Sequence, residues 1–76
     1  MEERIIKRFN RIDNFIRRKA TGSPAEFASK LGIAESTLYE GINLMKKLGA
    51  PIYYDKSRKS YCYEQTGRFT IEFIFD

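Results

Sequence analysis

Seventy-six residues, 42% of them hydrophobic and carrying a formal net charge of +4, describe one small basic domain, too apolar for a disordered chain. A domain this small buries only about 60% of its unfolded surface, so a partner is expected, and a pI near 9.4 is compatible with a polyanionic one. The single cysteine, Cys62, excludes an internal disulfide and supplies no metal-ligand spacing, and no run approaches the roughly 18 apolar residues of a membrane span.

The charge is unevenly placed. Residues 1–19 hold seven basic residues (Arg4, Lys7, Arg8, Arg11, Arg17, Arg18, Lys19) against three acidic ones (Glu2, Glu3, Asp13). Residues 20–50 balance at three against three, and residues 51–76 at four against four. The opening MEERIIKRF is charged throughout and lacks the apolar run of a signal peptide, which favours a cytoplasmic location.

Residues 3–19 read as a first helix. Ile5, Phe9, Ile12 and Ile16 form a narrow apolar seam, widened by Ile6 and Phe15. Arg4, Lys7, Arg11 and Arg18 gather on a different strip, which serves either as a solvated face or as a contact for phosphates or an acidic partner. A short connector, Lys19 to Gly22, follows; Ala20 and Thr21 have the place of a minimal edge strand with little support from their residue types.

Residues 23–48 read as two short helices around a tight turn at Leu31-Gly32-Ile33-Ala34. Ser23 is a good N-cap, Pro24 suits the first helical position, and Glu26 can close a capping box. Phe27, Ala28 and Leu31 form one apolar stripe, and Gly32 stands where a left-handed cap is wanted. The second helix carries its stripe at Leu38, Ile42, Met45 and Leu48. Two helices about a short glycine-containing turn outline a helix-turn-helix unit. Gly49-Ala50-Pro51 then stops the helix.

Ile52-Tyr53-Tyr54 and Tyr61-Cys62-Tyr63 are β-prone flanks of a polar turn, Asp55 to Ser60, and predict a hairpin over residues 52–63. Pairing Tyr54 with Tyr61 would set Ile52 opposite Tyr63, with Tyr53 and Cys62 on the other face. Lys56, Arg58 and Lys59 make the loop basic, either a solvated turn or a phosphate clamp, and the outline is that of a wing. The tyrosines suit half-buried sheet packing better than a stacking platform, and Cys62 suits the role of a small hydrophobe in a strand. Residues 68–75 alternate, with Phe69, Ile71, Phe73 and Phe75 on one side, predicting a third strand. Its apolar side either packs on the first helix or pairs with another copy, so these four residues are the candidate homodimer contacts.

In order, Leu31-Gly32-Ile33, Thr37-Leu38-Tyr39, Gly49-Ala50-Pro51-Ile52 and Tyr61 resemble the winged helix-turn-helix at the N-terminus of many bacterial transcription regulators, closest to the DeoR-like and WYL-associated type. The resemblance covers about residues 4–63. It implies a small α+β winged helix-turn-helix, three helices followed by a β-hairpin wing, to which the residue pattern adds the C-terminal strand. It also implies double-stranded DNA as partner, the helix of residues 35–48 in the major groove and the 55–60 loop near the backbone. In that family the reading helix opens with a Ser or Thr cap and basic residues, where this chain has Ala34, Glu35 and Ser36, with Glu40 after Tyr39.

Opposite the Leu38/Ile42/Met45 stripe, helical geometry exposes Ser36, Tyr39, Glu40, Asn43 and Lys47. Ser, Asn and Tyr can hydrogen-bond bases or phosphates and Glu can accept from cytosine N4, whereas Glu35 and Glu40 repel phosphates. The candidate DNA-binding set is Ser36, Thr37, Tyr39, Glu40, Asn43, Lys46, Lys47, Lys56, Arg58 and Lys59. Catalysis is not expected: there is no histidine, no paired-carboxylate or metal-ligand pattern and no phosphate-cradling glycine loop. No cofactor, metal or small-molecule ligand is expected either. The two function classes that remain are a bacterial DNA-binding regulator, expected to be a homodimer, and a winged-helix protein-interaction module motivated by the two glutamates.

Overall fold

Among the residues that the computed structural model describes, 3–71 (side chains from residue 4), five elements follow one another: α1 (Glu3–Arg17), α2 (Pro24–Leu31), α3 (Glu35–Lys47), β1 (Ile52–Asp55) and β2 (Ser60–Tyr63). They make a small α+β arrangement of three helices and a two-stranded antiparallel sheet. The periodic apolar positions become the core. Phe9, Ile12 and Ile16 of α1 pack with Phe27, Ala28 and Leu31 of α2 and with Leu38, Ile42 and Met45 of α3. Ile5, at the start of the α1 seam, is 45% exposed.

Local chemistry sets the helix ends. Ser23 Oγ accepts from the Glu26 N–H at 3.2 Å while Glu26 Oε1 accepts from the Ser23 N–H at 2.9 Å, the reciprocal capping box that the sequence predicts. All three helices close with the same reversal. Lys19, Gly32 and Gly49, with φ of 55°, 71° and 106°, are left-handed. Their N–H groups reach Ile16, Ser29 and Lys46 O at 3.0 Å, and the next residues reach Phe15, Ala28 and Met45 O at 2.9 to 3.1 Å. The reversal at Lys19 ends α1 at Arg17 rather than at residue 19. Leu48, expected on the buried stripe, is 60% exposed. At about 100° per residue it stands some 60° off Met45, and the Gly49 reversal turns the chain before another turn can bury it.

The hairpin pairs Ile52 with Tyr63, Tyr53 with Cys62, Tyr54 with Tyr61 and Asp55 with Ser60, the register that the sequence outlines. An aromatic chain carries the packing from α1 to the sheet. The Phe15 and Phe27 rings lie 5.7 Å apart, Phe27 and Tyr61 5.9 Å, and Tyr61 and Tyr54 5.0 Å. Between α1 and α3 the close approach is at Gly41, where a Cβ would meet Ile12 Cδ1 at 3.4 Å.

The connector forms no strand, yet Thr21 is fully buried and ties itself to β2 through side chains. Its Oγ1 accepts from the Tyr61 N–H at 2.8 Å, and its own N–H donates to Ser60 Oγ at 3.2 Å. The Ser60 hydroxyl in turn donates to Tyr61 O at 2.9 Å. Hydroxyls thus do what a third strand's ladder would do.

The C-terminal pattern is corrected in its described part. Residues 68–71 are not in a strand, because the segment crosses to α1 rather than along the hairpin. The Phe69 N–H donates to Asp13 Oδ1 at 2.8 Å, and the Phe69 ring lies 5.9 Å from that of Phe9. Of the candidate dimer contacts, Phe69 is therefore packed within its own chain and Ile71 is exposed. Phe73 and Phe75 lie outside the described residues.

Thr21→Val, which keeps the shape and removes the hydroxyl, leaves the buried Tyr61 N–H without its acceptor. Denaturant unfolding of this variant is expected to lose about 1–3 kcal/mol of stability, with Thr21→Ser retaining more.

Candidate nucleic-acid interface

The face of α3 that the core leaves outward is polar. Ser36, Tyr39, Glu40, Asn43, Lys46 and Lys47 are exposed and Thr37 is half-buried. At its start, Ala34 is the N-cap and provides no side-chain acceptor for the first-turn N–H groups. Glu35 occupies that first turn, where the helix dipole favours a carboxylate. Lys46 and Lys47 stand in the last turn, where the same dipole favours cations.

The other cationic group is the hairpin loop, where Lys56, Arg58 and Lys59 are all exposed. Asp55 shapes it: its Oδ1 accepts from the N–H groups of Ser57 and Arg58 at 2.9 and 3.1 Å. Lys59, left-handed at φ 54°, then returns the chain to β2. Arg58 Nε stands 3.7 Å from Asp55 Oδ2, an exposed pair worth about 0–1 kcal/mol.

Electrostatics locate these groups relative to the rest. The Glu26 carboxyl is held below its ordinary range, chiefly by the backbone and hydroxyl of Ser23, with smaller contributions from Lys30 and Lys59. The loop's last cation therefore lies within electrostatic reach of the start of α2. The Tyr61 hydroxyl is pushed up by burial first and then by Tyr39, Tyr54 and Glu35. The ten candidates thus form two groups, seven side chains along one helix and three on one turn. Lys46 and Lys47 stand at the opposite end of α3 from Ser36, about 15 Å along the axis.

Two of the four cations on the basic strip of α1, Arg11 and Arg18, engage the fold. Arg11 donates to the carbonyls of Lys30 and Leu31 at 3.1 and 3.4 Å, capping the end of α2. The Arg18 guanidinium lies 5.1 Å over the Phe15 ring. Arg17 Nε binds Asp13 Oδ2 at 2.9 Å, and Lys30 Nζ binds Ala20 O at the same distance.

Asp13, unremarked in the sequence reading, is 4% exposed and is the junction of three segments. Besides Arg17 and the Phe69 N–H, its Oδ1 accepts from the Tyr63 hydroxyl at 2.7 Å. The available signal was a carboxylate at the edge of an apolar seam with an arginine four residues on. Cys62 is buried. An open groove of about 320 Å³ runs between the end of α3 and the C-terminal segment, lined by Leu48, Pro51, Tyr63, Arg68 and Phe69 among others. Among the described residues no helix is long and apolar enough to cross a membrane.

A scan against protein-family models and searches of curated proteins and of solved structures find no match for this chain.

The Tyr63 hydroxyl is pushed well above its ordinary value of 10.0, by burial first and then by its bond to the Asp13 carboxylate. Ionisation is therefore harder in the folded chain than in the unfolded one. The stability this contributes is complete below the unfolded value and lost as pH rises above about 10. Unfolding titrations are expected to show a fall in stability above that pH, with a shallower slope in Tyr63→Phe. The variant should also lose about 1 kcal/mol at neutral pH with the hydroxyl's bond.

Proposed function

We propose that this chain is a winged helix-turn-helix module that binds double-stranded DNA, with α3 in the major groove and the 55–60 loop along the phosphate backbone. The observation that carries the reading is the division of α3. Leu38, Ile42 and Met45 bury one side, while the opposite side presents hydrogen-bonding and cationic groups free of the core. The antiparallel hairpin that follows presents three cations on a turn. The order of motifs in the sequence resemblance adds to this. The proposed role is that of a small bacterial transcription regulator acting in the cytoplasm, two copies reading a two-fold symmetric site.

Affinity in this reading comes from Lys46, Lys47, Lys56, Arg58 and Lys59. Five neutralised phosphates give a log–log salt slope of roughly −4.5. Asn43 supplies base contact, its amide being suited to adenine N6 and N7. The second reading, a winged-helix protein-interaction module without DNA binding, is favoured by one observation, the exposed Glu40 in the middle of the same face. Glu35 does not favour it, since the helix dipole accounts for its place.

Fluorescence-anisotropy titration of a mixed duplex pool at two salt concentrations tests the first reading. Binding that falls steeply with salt supports it, and absence of binding at low salt supports the second. Arg58→Ala is expected to weaken all sequences alike and reduce the salt slope by about 1. Asn43→Ala is expected to change the selected sequence and leave the slope unchanged. An Arg58→Ala protein with unaltered affinity and slope would remove the loop from the interface.

A further inference from the structure

Glu40 is set where a carboxylate has no evident structural use. Its neighbours three and four residues away on α3 are Ser36, Thr37, Asn43 and Leu44, none of them cationic, so its own helix does not compensate it. Among the described residues no hydrogen bond or ion pair engages it, whereas Asp13 joins α1 to the hairpin, Glu26 closes the α2 cap and Asp55 shapes the loop. Helical geometry aligns Ser36, Glu40, Asn43 and Lys47, at intervals of 4, 3 and 4, on the strip opposite the buried stripe. That strip is about 16 Å long, close to the rise of five base pairs, and Glu40 stands about 6 Å from its Ser36 end.

We infer that Glu40 is a specificity-determining residue that selects cytosine at the base pair it faces and rejects guanine and thymine; this rests on the DNA-binding reading above. The chemistry is that of the groove edges. Guanine presents the acceptors N7 and O6 there and thymine the acceptor O4, so each repels a carboxylate. Adenine offers its N6 amino group with the acceptor N7 beside it. Cytosine offers the N4 amino group and no acceptor of its own, the O6 and N7 of its paired guanine lying further across the groove. The same charge repels the phosphates of every sequence. Glu40 therefore lowers affinity for arbitrary DNA while discriminating among bases, a device that works by penalising wrong partners. Asn43, one turn on, is placed to read the adjoining base step.

The test is selection from a randomised duplex library with the full chain and with Glu40→Ala and Glu40→Gln, followed by anisotropy on single-base variants of the selected duplex at fixed salt. Because the residue is exposed, both variants should keep the wild-type circular dichroism. The wild type is expected to prefer cytosine over guanine at one position by about tenfold or more. Glu40→Ala should lose that preference and bind arbitrary duplex more tightly. Glu40→Gln, whose amide matches adenine N6 and N7, should move the preference to adenine. A wild type that binds DNA with base preferences unchanged in both variants overturns the assignment and leaves the DNA reading standing. So does a Glu40→Ala protein that binds every duplex more weakly. A wild type that binds no duplex at low salt overturns both.

Discussion

The Phe27 ring is completely out of water, with Phe15 of α1 on one side and Tyr61 of β2 on the other, at centroid distances of 5.7 and 5.9 Å. Removing such a side chain from a core typically costs about 3–5 kcal/mol, a large part of the stability of a domain this size. More than stability depends on it. The ring fixes the hairpin against α2, and the short turn around Gly32 fixes α3 against α2. The relative placement of the exposed α3 face and the cationic loop, separated in sequence, thus depends on this aromatic contact, on the bonds of Thr21 and Asp13 to β2, and on one left-handed glycine.

The basic character of the chain is divided between two uses. Near the N-terminus, where the excess is largest, Arg11 caps α2, Arg17 neutralises Asp13 and Arg18 lies over an aromatic ring. Lys30 does similar work on the connector's carbonyls. A small domain has few residues to spare for closing helix ends, and long cationic side chains reach the carbonyls that the backbone leaves unpaired. The cations of α3 and the loop are held more loosely. Among the described residues Lys46 and Lys47 have only the helix dipole, and Arg58 has one exposed carboxylate at 3.7 Å. The net charge of +4 overstates some regions of the surface and describes others fairly.

Much of this was legible in the residues. The capping box at Ser23 and Glu26 and the register pairing Tyr54 with Tyr61 depend on local rules of spacing, and these hold. What escaped depends on where distant segments meet. Leu48 continues the apolar spacing of α3, and only the reversal after it takes it off the core. Lys19 is left-handed at a position where residue type argues for more helix. Asp13 reads as an ordinary surface acid until a hydroxyl 50 residues away and an amide 56 residues away arrive at it. The alternation from Phe69 onward suggests a strand, yet the described part binds α1 side-on, with Phe69 packed against Phe9. For the interface, the residue types on α3 and the loop were readable, while the diversion of Arg11 and Arg18 to the fold was not.

The sharing of one Asp13 oxygen between the Tyr63 hydroxyl and the Phe69 amide also bears on motion. A buried carboxylate that loses either donor keeps its charge in a low-dielectric setting with less to balance it, so each bond raises the cost of breaking the other. The end of the hairpin and the segment crossing α1 are thereby joined into one cooperative opening unit. Their amides should exchange with solvent together, although one segment is a strand and the other irregular.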